Sequence, residues 1–237
     1  MNSVQNEFGA IGEPLDKTQL RVRLAARALA RHNLVHAYGH VSARLDNDSF
    51  LVCAAKPMGL IDPGEVGTVV PVEGGLPDGV LGEVRCHQRI YKARPEINGI
   101  SRVFPRKVMT LSTLRRTPEA RIGFGTYFYP RAPLWDDPLL IRSDELAAGF
   151  AEALGDARAI VMRGNGAVCV GETVEESVVM AFYLEESAAT ELDVMATGAA
   201  DDAVCYTEKQ AGIRATGTGR IYERLWEYMI AGDPELG

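Results

Sequence analysis

Residues 81–110, LGEVRCHQRIYKARPEINGISRVFPRKVMT, decide how the rest of the chain is read. Glu83 stands at the front of a short helical segment with His87 one turn later. Arg94-Pro95 closes that helix, because proline removes a ladder donor and disfavours helical backbone at the residue before it. The apolar run from Ile97 to Val103 then reads as a strand that carries Arg102 and Phe104 back beside Glu83. A carboxylate, an imidazole and a guanidinium brought together by a helix and the strand after it outline an active-site hairpin.

Upstream, Leu20, Leu24 and Leu29 with several alanines form an apolar stripe against Arg21, Arg23, Arg27 and Arg31. That spacing predicts an amphipathic helix, capped by Asp16 and ending near Asn33. Residues 41–55, VSARLDNDSFLVCAA, read as two short strands around the turn Asp46-Asn47-Asp48. Lys56-Pro57-Met58-Gly59 is a loop, Gly67 to Val72 a third strand, and Pro77 to Gly79 the lead into the Glu83 helix. Downstream, Val108 to Leu114 is expected to be helical. Thr117 to Pro138 is a long connector holding Tyr127, Phe128, Tyr129 and Trp135. Ser143 caps a helix that runs to Leu154. Ala159–Met162 and Ala167–Val170 are strands around Arg163-Gly164-Asn165-Gly166, followed by a long helix from Thr173 to about Ala196 and, after a polar stretch, a last helix from Tyr222 to Ile230.

Short strands with tight turns predict an antiparallel sheet, and the amphipathic helices must cover its faces. The expected fold class is α/β: a three-layer α/β/α arrangement with a central, mainly antiparallel sheet, forming a single domain over residues 1–237. Residues 1–15 are expected to be loose or to lie on a neighbouring subunit, and residues 199–237 to form a C-terminal extension with a helix. With 237 residues, 46% hydrophobic and 24% charged, the composition is that of an ordinary globular protein. A net charge of −7 argues against nucleic acid as a partner, since phosphates call for a basic face. No apolar run approaches the ~20 residues needed to cross a bilayer, so no membrane partner is expected. The N-terminus lacks the basic and apolar regions of a signal peptide, which predicts a cytoplasmic location. Cys53, Cys86, Cys169 and Cys205 form no C-x-x-C pair and read mostly as small buried hydrophobes.

Three blocks, GHVSARL at 39–45, GEVRCHQRIYKARPEI at 82–97 and MRGNGAVCVGETVEESVVMAFYLEESA at 162–188, together resemble the class II aldolase/adducin family. The likeness runs from about residue 18 to residue 198. It implies the three-layer fold, a homotetramer with active sites between subunits and, in the sugar-phosphate aldolases, a zinc held by three histidines with a glutamate as acid/base. The glutamate falls on Glu83. The three histidine positions fall on Arg102, Phe104 and Asn165, and none is a histidine. Zinc needs three or four N, S or O donors; Phe104 has none and Arg102 is a fixed cation. The expected cofactor is therefore none, with a relocated site drawn from His36, His40, Glu83 and His87 kept as an alternative. The run His32, His36, His40 has helical spacing, but the helix should already have ended. His87 reads as a structural hydrogen-bonding residue. The hydroxyl-bearing pairs that cradle phosphate in those aldolases are replaced by Lys56 to Gly59 and by Leu81-Gly82, which points away from a phosphorylated substrate.

Without a divalent cation a site loses Lewis-acid polarisation of a carbonyl. Glu83 beside Arg102 suits a small carboxylate that carries its own electron sink, such as a hydroxy-aromatic or β-keto acid. In this reading Arg102, helped by Lys56, orients the carboxylate, and Glu83 or His40 delivers a proton as carbon dioxide leaves. Ser42 and Asn165 are further substrate-binding candidates, and Tyr127 and Tyr129 would add an aromatic wall, lent by the adjacent subunit. The expectation is a metal-independent lyase, a decarboxylase, as in the family branches that this sequence resembles. Alternatives are an isomerase, dehydratase or cyclase on the same scaffold, a metal-dependent lyase with relocated ligands, and a non-catalytic, adducin-like interaction protein.

Overall fold

The computed structural model describes residues 8–237; the first seven residues of the segment expected to be loose lie outside it. In chain order the elements are α1 (Leu15–Arg31), β1 (His40–Arg44), β2 (Ser49–Val52), β3 (Thr68–Pro71), α2 (Arg85–Ala93), β4 (Gly99–Val103), α3 (Arg106–Ser112), β5 (Leu134–Trp135), α4 (Asp144–Leu154), β6 (Ala159–Met162), β7 (Ala167–Gly171), α5 (Val174–Ala196), α6 (Glu208–Arg214) and α7 (Ile221–Ile230). The seven strands form one sheet in the order β3-β2-β1-β4-β7-β6-β5. Every pairing is antiparallel except that of the edge strand β5 with β6. The expected three-layer architecture is what the chain adopts.

Alternation along the strands sorts side chains onto two faces. Val41, Ala43, Leu51, Val103, Ala167, Cys169, Ala159 and Val161 face the larger apolar cluster, built with α1, α3, α5 and α7. Phe50, Val52, Ile100, Val168, Val170, Ile160 and Met162 face the smaller one, built with α2 and α4. At the middle of that second face the pattern is broken by polar residues: His40, Ser42 and Arg44 of β1 and Arg102 of β4 are all buried. Buried polar side chains in the centre of a sheet need partners, and α2 supplies most of them.

Several boundaries differ from the sequence reading. Asp16 does not cap α1: Pro14 occupies the cap position, and Asp16 lies in the first turn, where its charge suits the helix dipole. Residues 8–14 are tied down rather than loose. Phe8 packs against the larger cluster, the Gly12 N–H donates to Leu45 O at 3.1 Å, and Glu13 pairs with Arg21 at 3.1 Å. The C-terminal region is integral to the core, because Trp226, Met229 and Ile230 of α7 enter the larger cluster. Cys53, Cys86 and Cys169 are buried as expected, whereas Cys205 is exposed. Among the described residues no helix is long and apolar enough to cross a membrane.

Candidate active site

A one-turn 3-10 segment, Gly82–Val84, runs directly into α2, so Glu83, His87 and Tyr91 recur every four residues and share one helix face. The partner surface is β1. Arg44 anchors the far end: its Nε donates to Ile97 O at 2.9 Å and its Nη2 to Tyr91 O at 2.7 Å and to Arg94 O at 3.2 Å. The bond to Tyr91 satisfies a carbonyl left open in the last turn of α2. The same guanidinium lies 4.6 Å from the centroid of the Tyr91 ring, which fixes the ring against the sheet.

A line of hydrogen bonds runs from Tyr91 toward Glu83. Tyr91 Oη lies 2.8 Å from Ser42 Oγ, Ser42 Oγ lies 2.7 Å from His87 Nδ1, and His87 Nε2 lies 2.8 Å from His40 Nδ1. His40 Nε2 has no partner among the described residues. Burial, with the Arg102 charge nearby, pushes the His87 imidazole down to about 3. Burial first, then His87 and Arg102, hold His40 well below the ordinary imidazole range. Both rings are therefore neutral at pH 7.

Arg102 stands directly across from His40 in the β1–β4 register and is 1% exposed. Its Nη1 donates to Val103 O at 2.9 Å, and its guanidinium lies 4.2 Å from the centroid of the Phe104 ring. Nη2 comes within 3.7 Å of Glu83 Oε2. That is an ion pair but too long for a hydrogen bond, and Nη2 has no hydrogen-bond partner among the described residues. Two glycines let the backbone close around this group. At Gly166 (φ +80°) a Cβ would sit 2.1 Å from Val103 O and 2.9 Å from Arg102 Nη1; at Gly39 (φ +121°) it would sit 2.8 Å from Arg102 O.

Glu83, His40 and Asn165 line a cavity of about 460 Å³. Its walls are mostly apolar, with Tyr38, Pro57, Leu81, Phe104 and Leu140, and two cations border it, Lys56 and Arg142. Lys56 is not free to take a substrate anion: its Nζ bonds Glu65 at 2.8 Å and Asp62 at 3.0 Å, and those carboxylates raise its pKa. Arg142 packs across Gly82 and has no side-chain partner among the described residues. It lies in the loop before α4, where no periodicity or motif marks it, so sequence reasoning passes over it.

The structure thus gathers Glu83, His40, Lys56 and Asn165 around the cavity, places Arg102 behind its wall, buried against Glu83 and Phe104, and separates three other candidates from them. Ser42 is fully buried behind His87 and does not line the cavity. Tyr127 packs against Tyr183 and Tyr222 and donates to Thr216 O at 2.7 Å. Tyr129 is 40% exposed and does not border the cavity of its own chain.

The residues at the three zinc-ligand positions do not fit a dication. A buried guanidinium, a phenyl ring and a carboxamide replace imidazoles, and Arg102 would repel the metal. Among the described residues no three His, Cys, Asp or Glu side chains converge to hold a metal ion. His40 and His87 instead spend ring nitrogens on each other.

The chain is 27% identical over 228 residues to a 3,4-dihydroxyphthalate decarboxylase of Terrabacter sp. (strain DBF63), covering 87% of this chain and 93% of the relative. It is 26% identical over 219 residues to a 3,4-dihydroxyphthalate decarboxylase of Arthrobacter keyseri, covering 81% and 86%. Among solved structures, L-fuculose 1-phosphate aldolase from Glaciozyma antarctica PI12 superimposes with a TM-score of 0.73 at 21% identity, over 93% of this chain and 94% of that one. The family description "Class II Aldolase and Adducin N-terminal domain" matches residues 21–192, a span holding the whole sheet and every residue of the cavity, and the chain belongs to that family.

Proposed function

We propose that this protein is a metal-independent carbon–carbon lyase, a decarboxylase of a small, non-phosphorylated hydroxy-aromatic acid, with Glu83 as the acid/base. One observation carries the reading: beside the Glu83 carboxylate, a buried guanidinium leaves Nη2 without a hydrogen-bond acceptor. A buried charged donor left unpaired is costly; Glu83 and Phe104, which Arg102 packs against, line the cavity, and a substrate carboxylate that enters between them would complete it. The apolar walls formed by Tyr38, Pro57, Leu81, Phe104 and Leu140 suit a flat ring.

The chemistry also says which carboxylate Arg102 holds. A departing carboxylate loses its charge on the way to carbon dioxide, so a cation gripping it stabilises the ground state more than the transition state and slows the step. Arg102 therefore binds a carboxylate that stays, and the departing group lies against the apolar wall. The substrate class is a dicarboxylate or its equivalent, and the relatives named for 3,4-dihydroxyphthalate, which carries two carboxylates, support it. In the step, Glu83 takes the proton of a ring hydroxyl and electron density moves to the ring carbon that bears the departing group. Glu83 returns the proton to that carbon, the carbon–carboxylate bond breaks and its electron pair re-forms the aromatic ring. The product oxide regains a proton from water.

The test is carbon dioxide release from a panel of hydroxybenzoates, dihydroxyphthalates and β-keto acids. Release from a hydroxylated aromatic dicarboxylate that vanishes in Glu83→Gln supports the reading. No release from any acid, or an unaffected Glu83→Gln variant, overturns it. The family resemblance adds the proposal of a homotetramer, with Tyr129 positioned to reach a neighbour's cavity; light scattering giving a monomeric mass would refute that.

A further inference from the structure

The four-residue line from Tyr91 to His40 has a direction, and the direction fixes what His40 can do. Tyr91 is buried, and its hydroxyl has one partner among the described residues, Ser42 Oγ. A phenol has a single proton, and a buried O–H left without an acceptor is costly, so Tyr91 donates to Ser42. Ser42 is 0% exposed, and its own proton has one remaining acceptor, His87 Nδ1 at 2.7 Å. With Nδ1 accepting, neutral His87 carries its proton on Nε2 and donates it to His40 Nδ1 at 2.8 Å. His40 then carries its proton on Nε2, the atom with no partner among the described residues, on a residue that lines the cavity. Reversing every bond would strand the Tyr91 proton instead.

We propose that Tyr91, Ser42 and His87 form a one-way hydrogen-bond relay that locks His40 as a neutral Nε2–H donor to a substrate oxygen, leaving proton transfer to Glu83. The ligand feature recognised is an acceptor oxygen, a ring oxide or carboxylate oxygen, within reach of His40 in the cavity. This proposal rests on the decarboxylase reading for the identity of the ligand but not for the tautomer, which belongs to the protein alone. Surroundings hold the arrangement. Phe50 packs on both Tyr91 and His87, with ring centroids 4.9 Å and 6.3 Å apart, and excludes water from one side. Arg102, fixed in charge, faces His40 across the sheet and opposes its protonation, and the Glu83 carboxylate stands beyond it. A neutral imidazole kept as a donor polarises an oxygen without exchanging its proton.

The experiment is nitrogen-15 NMR of histidine-labelled protein, free of ligand, at neutral pH; with four histidines in the chain, single His→Gln variants assign the signals. The expected spectrum has His40 and His87 both neutral and both protonated on Nε2. Protonation on Nδ1 in both rings, or an imidazolium at either, overturns the proposal. Ser42→Ala removes the directing proton without touching the cavity, and the expected result is a mixed tautomer population at both rings; an unchanged spectrum contradicts the relay. For turnover, His40→Gln keeps an N–H donor near the Nε2 position but has no basic nitrogen. It should stay within about tenfold of the parent in kcat, whereas loss of a true acid/base group costs about 10²–10⁴-fold and would overturn the donor role. If no acid is decarboxylated, the proposed function fails while the NMR result still decides the relay.

Discussion

At the scale of single residues, the site is organised by the pair Glu83 and Arg102, held 3.7 Å apart. Glu83→Gln is expected to lower kcat by about 10²–10⁴-fold, the usual worth of a positioned acid/base, with KM little changed; a KM effect alone would make Glu83 a binding group. Arg102→Lys keeps the charge but loses the planar fork that reaches Val103 O and the substrate together. It should raise KM by about tenfold or more for a dicarboxylate, and much less for a monocarboxylate, when the two acids are compared side by side. Both residues are legible in the sequence, because one stands in a recognisable block and the other occupies a position where the family resemblance leads one to expect histidine. Arg142 is not legible, since its place depends on a loop with no repeating pattern. The link between His40 and His87 is hidden for a different reason: it joins a strand and a helix 47 residues apart, and only the packed β1–α2 interface brings the rings together.

At the scale of elements, the site depends on β1 and β4 lying side by side under α2, with the β6–β7 turn closing over Arg102. Gly166→Ala tests that closure. The residue has φ +80° and its new Cβ would meet Val103 O at 2.1 Å, so backbone strain of about 1–3 kcal/mol is joined by a displaced β4 end. The expected outcome is a lower thermal midpoint together with weaker binding of the substrate acid; an unchanged midpoint would mean that the turn is not packed as described. Most elements follow from periodicity and punctuation: α2 ends at Ala93, with Arg94 as its cap ahead of Pro95, and Ser143 caps α4 by accepting from the Leu146 N–H. Those that escape are short. β5 has two residues and joins the sheet only through β6, while α6 has seven, one of them buried, too few to show an amphipathic stripe.

At the scale of the whole molecule, α1 is strapped to the C-terminus. Arg27 bonds Asp233 at 2.7 Å and Glu235 at 2.6 Å, and Arg23 bonds Glu235 at 2.7 Å. The bond from Arg23, with that from Arg27, holds Glu235 down to about 2. A carboxylate whose folded pKa lies below its unfolded value of about 4.3 stabilises the fold above that pH and ceases to do so as the pH falls toward 2. Glu235→Gln should therefore cost on the order of 1–3 kcal/mol in urea unfolding at neutral pH and almost nothing near pH 2. Equal costs at the two pH values would contradict the strap. The buried imidazoles act sooner. His87 stays neutral down to about 3, while the unfolded chain takes up a proton below about 6.5, so stability drains as pH falls through that value. Between pH 7 and pH 5 the loss from His87 is expected to be on the order of 2 kcal/mol, with a further loss of the same sign from His40, seen as a falling urea midpoint; a flat profile would mean that water reaches the rings.

At this site, in the function proposed, a protein guanidinium and not a dication steers the substrate anion. Carbon dioxide release from a hydroxylated aromatic dicarboxylate, followed before and after exhaustive dialysis against chelator with metal content measured on the same samples, tests it most directly. Undiminished turnover is expected from protein holding far less than one divalent ion per chain. Turnover lost on chelation and restored by one equivalent of a divalent metal would contradict it.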